Sequence, residues 1–445
     1  MSDKHKLQKS FTEQAEANFK DKISMEIDED LNEFKKDKKK VVEYLKEKEN
    51  TITLGFAIRR YICERFSDVL FEDDDKYKCK IKDENGQVLE FEVDNFLKED
   101  CSNEEYIKLM QVLIKKNEVK QRNKDKYIER QDLRRWLGHK MCDREMLLRK
   151  ISFILEMDNE DINVFLNMVL SEKGYNFRKV DEIIYYFCHK NNLKSSKAEE
   201  LLEKYRNMDD ERRSDNSKHT EIIEDEVSRI ETEEELLRYL KENRPNFIKI
   251  SQSARNEFIK LIDNIRDMVK IIYPDNTKAD GTISDSFLEK IFREGIEFDD
   301  DQISSSSAEE NMSSARLKQS ELKDILYQTL NRATIGKKLK GQMEVVRKDL
   351  IFLSFYKFSL LCSGYDEFEE SEFGEESEAY SEMHMDNTVK NMMEFRDDTD
   401  KLLLKCGMGK LYIPNRFDNL ILLSLCDENP FEYFSDVIKS SFPKN

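Results

Sequence analysis

No proline occurs before Pro245, and the 445-residue chain holds only 12 glycines. Proline breaks a helix by removing a donor and crowding the preceding turn, and glycine weakens it through backbone entropy. With both so scarce, little in the first half stops long helices, so a mainly α fold is the starting expectation. The apolar and charged fractions are both 38%. That balance suits amphipathic helices with one buried stripe and one solvated face, and it is too rich in Leu, Ile and Phe for a disordered chain. The length allows two or three domains with real cores.

The stripes can be followed along the chain. Phe34, Val41, Val42 and Leu45 line a thin apolar stripe beside a lysine run, Lys35 to Lys40, which reads as a solvated face. Thr51 is placed to cap a helix that buries Leu54, Phe56, Ile58, Ile62 and Phe66. The period then drops to two. Tyr77, Cys79 and Ile81 alternate with lysines, and Leu89, Phe91 and Val93 with acids. Asn85-Gly86 lies between them, which predicts a β-hairpin with a type I′ turn. Helices are expected at 104–116, from Arg144 to Met157, from Asp158 or Asn159 onward, and from Val180 to His189.

Beyond these, 206–244 reads as a charged linker, with partial helix as the alternative. Residues 245–315 read as a middle helical pair, stopped by Pro274, followed by a serine-rich tether at Ser304 to Ser307. Between Asp366 and Glu378 eight of thirteen residues are acidic, which reads as a disordered loop inside a last module, 316–445. The remaining expected segments are 1–103, N-terminal helices with the hairpin, and 104–205, a first module.

Net charge is −19, from 75 basic and 94 acidic residues. Such a chain does not attract nucleic acid through its overall field, so any such contact needs a local patch. One exists: Lys115 to Lys150 holds 13 Lys/Arg against six Asp/Glu, a local +7. The eight cysteines form no CxxC pair, which fits reduced, partly buried thiols in a cytoplasmic protein. No apolar leader and no run of 18 apolar residues is visible, so no membrane contact is expected.

The basic patch belongs to a repeat. IERQDLRRWL (Ile128 to Leu137) matches LNRATIGKKL (Leu330 to Leu339), and each is followed by a polar loop, an arginine and an apolar helix: Arg144 in one copy, Arg347 in the other. Further on, FLNMVLSEKGYNFRKVDEIIYYFC matches LLLKCGMGKLYIPNRFDNLILLSLC with a one-residue slip. These stretches, about a third of the chain, resemble the lambda-repressor-like, or XRE, helix-turn-helix family. TIGKKLKG with its preceding LNRA is similar to the family's recognition-helix end. RRWLGHKM with DREMLLRKISFILEMDNED carries the resemblance in the first copy.

The resemblance implies two helix-turn-helix-like helical bundles; the middle helical segment and the one inserted β-hairpin, which has no counterpart in the family core, rest on periodicity. It implies recognition helices that seat Leu133, Trp136 and Leu137, or Ile335 and Leu339, on the core and turn their other side to DNA. Carried over by position, base-reading residues are Arg130, Gln131 and Arg134 in the first copy and Arg332, Ala333 and Gly336 in the second. Arg135, Lys140, Lys337, Lys338 and Lys340 are the remaining basic candidates, mostly for phosphates. The copies depart from the family: Glu129 and Asp132 bring negative charge to the first reading face, and Ala333 and Gly336 offer little to read with. Trp136 is expected as a core anchor.

No P-loop, GxGxxG, GxSxG or HExxH motif occurs. His139 with Cys142, and Cys188 with His189, have ligand-like spacing, but two ligands do not make a zinc site. No catalytic centre, metal or cofactor is expected. Two functions remain open. One is a bacterial or phage DNA-binding regulator acting through the basic first module. The other is a non-catalytic adaptor whose modules bind proteins, for instance within a defence complex.

Overall fold

The computed structural model describes residues 37–47, 50–67, 76–98, 101–121, 127–138, 144–208 apart from 171 and 173, 220–247, 251–278, 281–294, 332–372, 388–427 and 429–442, with isolated positions in 15–19 and 320–330. Two compact units result, one continuous (52–249) and one discontinuous (1–51 with 250–445). The boundaries differ from the expected segments. The hairpin joins 104–205 in one unit, while the expected middle pair and the expected last module share the other.

Helices begin where a side chain can take up free amides. Asp37 caps α1 (Lys38–Lys46) by accepting from Lys39 N. Thr53 caps α2 (Leu54–Phe66) by accepting from Phe56 N at 3.2 Å. Thr51, the expected cap, instead donates its hydroxyl to Leu45 O at 2.6 Å and so closes the end of α1. Strands β1 (Lys76–Lys82) and β2 (Val88–Asp94) pair antiparallel, with Tyr77, Cys79 and Ile81 opposite Val93, Phe91 and Leu89. The turn is not type I′. Gly86 alone takes a positive φ, and its amide bonds Asp83 O. The Asp83 carboxylate accepts from Asn85 N and Gln87 N, holding a wider loop that needs one left-handed residue rather than two.

The continuous unit goes on with α3 (Glu104–Lys116), α4 (Arg130–Leu137), α5 (144–154) and α6 (159–170). It ends with α7 (Val180–Lys190), α8 (Ser195–Arg206), α9 (Thr220–Ser228) and α10 (Glu233–Glu242). Helices α5 and α6 each contain a π-helical turn, Leu147–Ile151 and Leu166–Leu170. The expected linker carries two helices, which is the partly helical alternative. Ile223, Val227, Leu236 and Leu240 are buried, four apolar residues at helical spacing that the surrounding charge obscured. Helix α2 approaches α4 so closely that a Cβ on Gly55 would lie 2.2 Å from Leu137 O. Arg59 reaches the same carbonyl at 2.9 Å.

The discontinuous unit holds α1, α11 (Gln252–Ile272), α12 (Asp285–Glu294), α13 (Arg332–Leu339) and α14 (Arg347–Glu372). It closes with α15 (Thr388–Lys405), α16 (Arg416–Ser424) and α17 (Pro430–Ser440). Its core gathers Val41 and Leu45 of α1 with Phe258, Ile262, Leu353, Phe355, Leu420, Phe434 and Val437. The acidic run is not a loop throughout: the backbone of α14 stays helical to Glu372, with no proline to stop it, and 373–378 lie outside the described residues. The serine tether also lies outside them. From the short basic helix onward both units run through five helices, α4 to α8 and α13 to α17. The protein is mainly helical, with one small hairpin.

Candidate nucleic-acid interface

Helix α4 is short and strongly two-sided. Leu133, Trp136 and Leu137 are buried, and Arg130, Gln131, Arg134 and Arg135 are exposed. The indole of Trp136 is 2% exposed, and its Nε1 finds no acceptor among the described residues. Trp136 is thus a core residue, as its helical position dictates.

The outer face is not a bare row of cations. Glu104, in the first turn of α3, accepts from Arg134 Nη2 at 3.0 Å and from Arg130. The Arg134 and Arg130 guanidiniums hold its carboxyl below the usual range. Asp132 lies 3.8 Å from Arg135 Nη1 on the same helix. Three of the four predicted residues on α4 are therefore already next to acids. Glu104 lies 26 residues from Arg130 in sequence, so only the packing of α3 on α4 brings it there. Lys140 lies outside the described residues.

On α13 the candidates separate. Arg332, Ala333, Lys337 and Lys340 are exposed, and Gly336 is half-buried. Lys338 is 4% exposed, and its Nζ sits 2.5 Å from Asp349 Oδ2 in the first turn of α14. This corrects the expectation that Lys338 meets phosphate. Aligned with the first copy, Lys338 takes the place of Trp136 and Asp349 that of Met146, so two buried apolar residues of one unit stand where the other has an ion pair. Burial pushes the Asp349 carboxyl up, opposed by the Lys338 ammonium. The sequence carried the signal: Lys338 is three residues from buried Ile335, on the inward side.

The arginine that follows each basic helix proves structural. Arg144 bonds both carboxylate oxygens of Glu182 (2.9 and 2.7 Å), Glu172 at 2.7 Å and Gly174 O at 2.5 Å. Arg347 bonds both oxygens of Asp418 (2.9 and 2.5 Å), Gly409 O at 2.9 Å and Lys410 O at 2.6 Å. Each acid also takes a loop amide, Asn176 N in one unit and Tyr412 N in the other. The two pairs are counterparts. Each clamps the start of one helix to the start of another and fastens the loop between, and both acids are essentially buried.

Other chemistry is thin. Among the described residues no three His, Cys, Asp or Glu side chains converge as a metal site. Cys188 is buried with its thiol pushed up to about 12, and the ring of His189 bonds Ser152 Oγ at 3.0 Å. His139 and Cys142 lie outside the described residues. A cleft of about 360 Å³ in the continuous unit is bordered by Glu145, Arg149, Asp181, Tyr185 and Glu199. Arg149 is taken up by Glu199 at 2.7 Å and Glu145 at 3.4 Å. No helix among the described residues is long and apolar enough to cross a membrane. Comparison with protein-family models, with curated proteins and with solved structures returns no match.

Proposed function

We propose that the protein is a non-catalytic, protein-binding adaptor whose helix-turn-helix-like units serve as docking bodies. The observation that carries this reading is the state of the two short basic helices. Arg130 and Arg134 are held by Glu104, and Lys338 is buried against Asp349. Duplex DNA is gripped by several lysines and arginines displacing counterions together, and a helix whose cations face acids supplies few of them. Gln131, Arg134 and Arg135 remain exposed on α4, which suits an acidic patch on a protein partner.

The same exposed residues favour the second reading, a cytoplasmic DNA-binding regulator, so the test addresses duplex DNA directly. Fluorescence anisotropy at low salt is expected to show no binding by the wild type. Proteins captured by the wild type are expected to be lost when Arg130, Gln131, Arg134 and Arg135 are replaced by alanine. Wild-type binding to duplex DNA would overturn the adaptor reading if its log K falls with log salt and the alanine variant loses about 0.9 of slope per phosphate contact. Glu104→Gln sharpens the comparison, because it frees both guanidiniums without touching them.

A further inference from the structure

Each unit is completed by a helix from outside its own copy of the repeat. Helix α1, which leads into the first copy, packs on α17, the last helix of the second. Helix α10, which leads into the second copy, packs on α8, the last helix of the first. The leading helices are themselves counterparts: VVEYLKE (Val41 to Glu47) aligns without a gap with LLRYLKE (Leu236 to Glu242). In that alignment Asp37 falls on Thr232, and both are N-caps. Thr51 falls on Asn246, and both meet an arginine beside the seventh or sixteenth helix: Arg416 Nε bonds Thr51 Oγ1 at 3.3 Å, and Arg178 Nη1 bonds Asn246 O at 3.2 Å. The repeat thus runs from the leading helix to the last, and its two copies exchange their first helices.

Charge is reversed at four aligned positions, Lys38/Glu233, Lys39/Glu234, Lys40/Glu235 and Glu43/Arg238, and the first of these meets the docking helix in both units. Lys38 of α1 lies 3.5 Å from the centroid of the Tyr433 ring on α17 and 3.9 Å from Asp427. Its counterpart on α10 is Glu233, 2.8 Å from Lys197 on α8. Lys197 and Tyr433 are counterparts in turn when Glu182 is aligned with Asp418. We propose that this position is a selectivity device that sends each leading helix to the opposite copy. On α8, α1 would bring Lys38 against Lys197. On α17, α10 would bring Glu233 against the negative face of Tyr433 and against Asp427. The apolar residues of the two helices align one for one, Val41, Val42, Tyr44 and Leu45 with Leu236, Leu237, Tyr239 and Leu240, so the unlike charge that meets the docking helix is the stronger discriminator.

The test is hydrogen exchange of the full chain, read at the amides of 41–46 and 236–242. Lys38→Glu is expected to lower protection at 41–46 about tenfold, while Lys39→Glu, exposed one residue on, leaves it unchanged. Glu233→Lys is expected to lower protection at 236–242, and Glu233→Lys with Lys197→Glu to restore it. Finally, a chain in which segments 37–47 and 232–242 trade places should lose protection at both helices. Equal effects of Lys38→Glu and Lys39→Glu, failure of Lys197→Glu to restore protection, or full protection after the trade would each overturn the proposal. The Lys197 arm stays readable even if variants at Lys38 do not fold, because it lies in the other unit.

Discussion

His189 is 5% exposed, its ring centroid 4.0 Å from that of Phe153 at a tilt of 34°, and bonded to Ser152 Oγ. Burial lowers its pKa from 6.5 to about 4. Below pH 6.5 the unfolded chain takes up a proton that the folded one refuses, so this stability is complete above about pH 6.5 and lost as pH falls towards 4. The shift corresponds to about 3 kcal/mol. Urea unfolding of wild type and His189→Gln across that range should show a slope that the variant lacks. The buried ion pairs give a contrast at the same scale. Arg347→Leu leaves Asp418 buried and unpaired, and should cost about 3–5 kcal/mol in the same measurement. Lys338→Met with Asp349→Leu removes both charges and places apolar side chains where the first copy has Trp136 and Met146. It should be neutral or stabilising by about 1–4 kcal/mol.

At the scale of elements, periodicity did most of the work. Alternation in 76–94 found both strands, though the type I′ turn expected at Asn85-Gly86 would have paired them one residue out of the observed register, and the spacing of Leu133, Trp136 and Leu137 found the buried side of α4. The misses share a physical cause. Asp83 redirected the hairpin turn through two side-chain hydrogen bonds that a dipeptide rule ignores. The buried residues of α9 and α10 are too sparse among acids to stand out. Lys338 is charged, and only the distant Asp349 makes its burial tolerable. Glu104, which changes what the candidate interface can do, is invisible until α3 packs on α4. Two predictions follow from the α2–α4 contact. Gly55→Ala drives a methyl into backbone and should cost about 1–3 kcal/mol by thermal or urea unfolding. Trp136→Ala should cost about 3–5 kcal/mol, as large-to-small aromatic changes in cores do.

For the whole molecule, the exchange of first helices decides how the chain divides. The continuous unit is an insertion between α1 and the rest of the discontinuous one, which the linear segments expected from composition could not anticipate. A ribosome makes the two docking sites at very different times. Helix α8 is complete before α17 has begun, and α1 emerges before either. At about 5–20 residues per second, α1 waits roughly 20–80 seconds for the roughly 380 residues that separate it from its own partner. During that interval the only finished site of the right shape is the one on α8. A lysine facing a lysine keeps α1 from taking the first seat offered, and leaves that seat empty for α10.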